Sequence, residues 1–184
     1  MTRDNSAELI NERSRRPGVF KMLAIFVGTG LLLSVAGLVF LSFNATRPNN
    51  LGVRNGRLAE CADKPNCVSS FAESQTQYMP PIPFDGGESA TIDALRAILS
   101  GMDGARVVSA NETYLHCEFS TPLFGFVDDV EFLLDTETSV IHFRSASRVG
   151  YHDFGQNRAR INEIRRQIAK AVEEATVTTT PRPQ

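Results

Sequence analysis

His116, Glu131 and His142 lie on three successive runs of alternating polar and apolar residues, and two imidazoles with one carboxylate suffice as protein ligands for a catalytic divalent metal. The alternation supplies the geometry. In Thr113–Thr121, Leu115, Cys117 and Phe119 share one strand face while His116 and Glu118 share the other. Phe126–Asp135 repeats this with Val130, Phe132 and Leu134 against Asp129 and Glu131, and Val140–Ser145 with Ile141 and Phe143 against His142 and Arg144. Closing the hairpins through Pro122–Gly125 and Thr136–Thr138 sets His116 beside Glu131 beside His142, and Glu118 beside Asp129 beside Arg144. Opposed residues in such rows stand about 5 Å apart. A slip of one residue would carry the whole set to the other face. Two plainer readings compete with the metal. One is a solvated face with cross-strand ion pairs, each contributing about 0.2–1 kcal/mol; the other is an open face that binds a partner.

A second constellation follows the last strand. The loop from Arg144 to Arg160 leads into a helix N-terminus, where unpaired amides and the helix dipole favour anions. Arg144, Arg148 and Arg158 are placed to converge on a carboxylate or phosphate, with Ser145, Ser147, Tyr151 and Asn157 around them. The structural alternative pairs these arginines with Asp128, Asp129 and Asp153, so that they pin the loop. Nucleophilic catalysis has little support. Cys117 sits on the apolar face as a small core residue, and Ser145 and Ser147 lack an elbow motif. An acid/base pair of Glu118 and Asp129 has the right chemistry, but carboxylates on strands usually only solubilise. No catalytic residue is assigned and no cofactor is called for.

Cys61 and Cys67 flank a Pro-Asn turn, six positions apart, and close a small disulfide loop if the domain lies in an oxidising compartment. Two free thiols, or half a metal site, are the alternatives, although no second Cys/His pair stands at zinc spacing.

The elements that position these residues are legible from periodicity. Ser89–Met102 carries Ile92, Leu95, Ile98, Leu99 and Met102 at helical spacing, with Ser89 as its cap. Tyr78–Phe84 is apolar but proline-rich, at most a short edge strand. Arg106–Ala110 is a strand, followed by the three described above. After Gly150, Asp153 and Gln156 form a capping box, and Ile161, Ile164, Ile168, Ala171 and Val172 make one apolar stripe to about Ala175. Short connections make the sheet antiparallel, so the expected fold is α+β: a two-layer sandwich, a meander of about four strands with two helices on one face.

Ahead of this domain, Met22–Phe43 runs 22 residues without a charge. About 20 apolar residues span the hydrocarbon layer as a helix. A cleaved signal peptide has a shorter apolar core, and Phe43-Asn44-Ala45 is a poor cleavage site. A lipoprotein signal fails because Glu60 precedes Cys61, far beyond the apolar run. Arg3, Arg13, Arg15, Arg16 and Lys21 precede the helix while Arg47, Arg54 and Arg57 follow it, which favours a cytoplasmic N-terminus and a domain in the periplasm or another extracytoplasmic space. The expected division is a cytoplasmic tail 1–21, a transmembrane helix 22–43, a linker 44–57, the α+β domain 58–175 and a disordered tail 176–184. A net charge of −2 argues against nucleic acid as a partner, since phosphate binding needs clustered Lys and Arg in excess.

Several motifs resemble one family. Cys61-x-x-Lys-Pro-Asn-Cys67-Val-Ser-Ser, Tyr114-Leu-His-x-Glu-Phe, Thr121-Pro-Leu-Phe-Gly-Phe-Val-Asp-Asp-Val-Glu-Phe132 and Arg144-Ser-Ala-Ser-Arg-Val-Gly-Tyr-x-Asp-x-Gly-x-Asn-Arg158 are similar to domain-of-unknown-function family 1499, of bacteria and plant plastids. The resemblance spans about residues 58 to 172. It implies a membrane or secreted location and supplies no activity. Cys117 stands where the family pattern has Ala, as suits a small buried side chain. The expected function is therefore a single-pass, membrane-anchored extracytoplasmic module that binds a small anionic ligand or a protein partner. A metal-dependent hydrolase-type enzyme on the polar sheet face and a structural envelope or complex-assembly subunit are the alternatives.

Overall fold

A computed structural model describes residues 17–84 and 87–179, in two compact units that meet between Leu41 and Ser42. The first unit is one helix, α1 (Pro17–Phe43), which continues to the first residues of the second. It is apolar on every side, and Gly18–Phe43 is long and apolar enough to cross a membrane. The flanking basic residues Arg3, Arg13, Arg15 and Arg16 lie outside the described residues.

In the second unit the order is β1 (Cys67–Ser69), β2 (Ile82–Pro83), α2 (Glu88–Ser100), β3 (Ala105–Ala110), β4 (Tyr114–Ser120), β5 (Val127–Asp135), β6 (Val140–Ser147) and α3 (Gln156–Thr179). The α+β architecture is as expected, with six strands rather than four. β1-β6-β5-β4-β3 run in that spatial order, all antiparallel, and β2 shares the outer edge of β6 with β1. The two added strands carry little signal of their own. Cys67–Ser69 is too short for a period to show, and Pro83 confines its strand to an edge.

Strand alternation puts Leu115, Cys117, Phe119, Val130, Phe132, Leu134, Ile141 and Phe143 on one face, where they pack with Ile92, Leu95 and Leu99 of α2 and Ile161, Ile164 and Ile168 of α3. Burying such a side chain fully contributes about 1.5–3 kcal/mol, which makes this layer the main source of stability. The helices differ from expectation at their ends. Gly87, not Ser89, precedes α2 and offers no side-chain cap. The Asp153 half of the expected capping box forms, its carboxylate accepting from the backbone N–H groups of Gly155 and Asn157 at 3.0 and 2.8 Å. The buried stripe of α3 stops at Ile168; Ala171 and Val172, expected to extend it, are exposed. The helix continues to Thr179, so residues 176–179 of the expected disordered tail are helical; residues 180–184 lie outside the described residues.

The β4–β5 register is the expected one, His116 opposite Glu131 and Glu118 opposite Asp129. The β5–β6 register differs by two residues: Glu131 faces Arg144, and His142 faces Leu133. The loop explains the shift. Residues 136–139 form a four-residue turn in which the Asp135 carboxylate accepts from the backbone of Glu137 and Thr138, and Ser139 takes the left-handed conformation at φ 54°. A shift of two preserves the face of every side chain while changing its neighbours.

Candidate functional site

The polar face of the sheet is buried, not solvated. His116, Glu118, Asp129, Glu131 and Arg144 are all at most 6% exposed. The segment read as a linker, 44–57, contributes donors to this face. Arg47 donates from Nε and Nη2 to Glu118 Oε1 at 2.9 and 2.6 Å, and the Gly52 amide donates to Glu131 Oε1 at 2.7 Å. Gly52 sits at φ 96°, a conformation open to glycine and strained for other residues. Sequence reasoning counted Arg47 only as a flanking charge and gave Gly52 no role. Contacts 71 and 79 residues apart leave no local pattern.

Three carboxylates anchor the network. Glu118 receives Arg47, Arg106 and Arg148. Asp129 accepts Arg148 Nε on Oδ2 at 2.8 Å and Nη2 on Oδ1 at 2.7 Å, and His116 Nε2 donates to the same Oδ1 at 2.8 Å. Glu131 accepts from the Tyr114 hydroxyl at 2.8 Å and Arg144 Nη1 at 3.2 Å, in addition to Gly52. Burial alone would raise the Glu118 carboxyl, but the Arg148, Arg47 and Arg106 hydrogen bonds outweigh it and hold it at about 2. In Asp129 burial is likewise outweighed, by Arg148 and His116, giving about 2. Tyr114 moves upward, first through burial and then through the charge of Glu131. Among the described residues, the one buried side-chain nitrogen or oxygen without a hydrogen-bond partner is Arg144 Nε.

The expected metal set does not assemble. His142 belongs to a different row, with its Nδ1 3.0 Å from Ser70 Oγ and its ring stacked on Phe71 at 4.1 Å. A different trio, His116, Glu118 and Asp129, brings one ligand atom each within 4.8 Å. Arg148 already bridges its two carboxylates, with Arg47 and Arg106 on Glu118 as well. Three guanidinium charges on two carboxylates leave no anionic excess for a divalent cation.

Nor do the seven expected anion-loop residues converge. Arg144 and Arg148 face the covered side of the sheet, paired as above. Ser145, Ser147 and Asn157 meet on the helix side. There the buried Asn157 accepts from Ser145 Oγ and Arg160 Nη1 at 2.5 and 2.7 Å, and donates to the Asn66 carbonyl and Ser147 Oγ at 2.9 and 3.1 Å. Arg160 also pairs with Asp128 at 2.6 Å, so this polar joint ties β1, β5, β6 and α3 together. Arg158 donates to the carbonyls of Thr76 and Tyr78 at 2.7 and 3.3 Å, and Tyr151 is exposed. Cys61 and Cys67 are joined in a disulfide at the start of β1. Cys117 is buried, and burial pushes its thiol up to about 11, the opposite of an activated nucleophile.

Residues 57–168 match the family described as "Protein of unknown function (DUF1499)". The chain belongs to the DUF1499 family. No curated protein and no solved structure matches the chain. The DUF1499 motif residues thus have structural partners: Asn66, Ser145 and Asn157 in the polar joint, and His116, Glu118, Asp129, Glu131, Arg144 and Arg148 in the ion network. Arg47 and Gly52, which complete that network, precede the matched region.

Proposed function

We propose that this DUF1499 protein is a non-catalytic assembly module, held at the outer face of a membrane by an uncleaved α1 and binding a protein partner through its loops. The observation that carries this reading is the internal engagement of its chemistry-bearing residues. Glu118, Asp129, Glu131, Arg144 and Arg148 each have a counter-charge within the domain, beneath a cover contributed by residues 44–57, and Arg158 is held by backbone carbonyls. A metal-dependent hydrolase needs an open coordination position and an accessible general base, and this set offers neither. Retention of the helix is supported by its length: Gly18–Phe43 is predominantly apolar over 26 residues, whereas the apolar core of a cleaved signal runs to about 7–15. The disulfide supports an oxidising, extracytoplasmic location with the N-terminus in the cytoplasm.

The test is a cell in which the sole copy carries His142→Ala, with deletion of the gene as reference. The ring lies at the margin of the network, so the variant is expected to fold, form its disulfide and retain function. Full loss of function in a folded His142→Ala protein would overturn the non-catalytic reading. For the anchor, an N-terminal tag should stay with the membrane fraction after alkaline extraction; a shortened, soluble product means that α1 is a cleaved signal.

A further inference from the structure

The exposed tip of the 44–57 segment is a two-residue hairpin. The Arg54 amide donates to the Arg57 carbonyl at 2.9 Å, and the Arg57 amide donates back to the Arg54 carbonyl at 3.1 Å. Asn55 and Gly56 between them take φ 52° and 73°, the two positive values of a type I′ turn, which Asn-Gly adopts readily. Residues that exchange both bonds in this way stand about 5.5 Å apart, with their side chains on the same side of the ribbon. The turn therefore holds two arginines next to each other, a placement that like charges disfavour.

No acid relieves it. Among the described residues neither Arg54 nor Arg57 pairs with a carboxylate, whereas Arg47, Arg106, Arg144 and Arg148 all do. Arg54 Nη2 donates to the Asn49 carbonyl at 2.8 Å. Arg57 lies over the Phe71 ring, 4.7 Å from its centroid, and Phe71 is held in turn by the His142 ring stacked on it at 4.1 Å. Stacking occupies the face of a guanidinium and leaves its in-plane N–H donors for another group.

The setting indicates what that group belongs to. Residues 53–57 are all exposed, Val53 among them at 42%, and no cavity encloses the tip. A free ion on such a tip stays hydrated and gains little from either arginine. A protein surface that covers the tip excludes water, packs on Val53 and strengthens both charged contacts. We propose that the Arg54–Arg57 turn is where the protein partner docks, and that the partner presents an acidic segment whose carboxylates the two guanidiniums take. A planar carboxylate matches the fork of donors on each arginine. The turn fixes their spacing before the partner arrives, so little freedom is lost on binding. The inference names the contact for a module that binds through its loops, and it rests on that reading.

Binding is read from the anisotropy of a fluorescein-labelled hexaglutamate peptide titrated with the full chain in neutral detergent micelles at low salt. Both arginine side chains are exposed, so their variants are expected to fold. The expected result is saturable binding that Arg54→Gln and Arg57→Gln each weaken about tenfold or more, the loss of a hydrogen bond to a charged group. Arg57→Lys keeps the charge but loses the stack and the fork, and should weaken binding nearly as much. Arg96→Gln removes an exposed charge from α2 and should change it less than about twofold. Equal losses in Arg96→Gln and the turn variants would mean general attraction of charge and sink the proposal. So would failure of hexaglutamate to bind where inorganic phosphate, or short-chain phosphatidylglycerol added to the micelles, binds and is lost in Arg57→Gln. Crosslinking in cells separates the turn from the reading beneath it. If the folded Arg54→Gln/Arg57→Gln protein keeps every crosslinked product of the wild type, the turn is wrong and the assembly module stands. If the wild type forms no crosslinked product, the module has no protein partner and both fall.

Discussion

Glu131 has no exposure and three donors, one each from the 44–57 segment, β4 and β6. Removing one member of a buried ion pair strands the other, which costs about 3 kcal/mol or more. Glu131→Gln is therefore expected to lower unfolding stability by about that amount, read from denaturant midpoints. Glu163→Gln, which removes an exposed partner of Arg166, should leave the midpoint unchanged. Equal effects would mean that the buried network carries no special weight. Acid gives an independent check. Glu118 and Asp129 titrate at about 2 in the folded state, below the unfolded value of roughly 4. A depressed folded pKa adds stability that is complete above the unfolded value and disappears as pH falls toward the folded one. Midpoints should hold from pH 7 to 5 and drop steeply from pH 4 toward 2, less steeply in Glu118→Gln; a flat profile to pH 3 would refute the assignment. The facing of these residues was legible, because alternation alone put His116, Glu118, Asp129 and Glu131 on one side. Their partners were not, because Arg148 folds back from beyond its strand and Arg47 comes from 71 residues away.

At the scale of elements, hairpins announce themselves and covers do not. The β4–β5 register followed from its Pro-Gly turn, whereas the four-residue turn after Asp135 moved β6 by two positions and separated His142 from the expected metal ligands. Asn, Gly and Arg between 44 and 57 carry no apolar period, so composition read the segment as a linker although it is a lid on the sheet. A fragment beginning at Leu58, close to the start of the family match, is thus expected to be less stable than one beginning at Asn44. It lacks Arg47 and the Gly52 amide and opens Glu131 to water. Hydrogen exchange of β4 and β5 amides measures the difference; identical protection in both fragments would return the segment to linker status. Gly52→Ala should reproduce part of the loss, about 1 kcal/mol, through backbone strain alone.

For the molecule as a whole, the three cysteines report the compartment. Cys61 and Cys67 are bridged and Cys117 is enclosed, so native protein taken from cells should resist thiol reagents and accept one label after denaturation without reductant. Three labels would place the domain in a reducing space and remove the main support for the proposed extracytoplasmic location. The lid over the sheet also has a consequence in time. Ribosomes release residues 44–57 early, but Glu118, Glu131 and Arg148 follow 60 to 100 residues later, and Asn66 waits for Asn157, 91 positions on. Contacts of such high sequence separation form late and slowly. The leading segment of the domain must remain unfolded until nearly the whole chain has been made, and a nascent chain stalled before β6 has no route to a protected sheet. Release from the ribosome, not emergence of the first strands, is therefore the event that starts its folding clock.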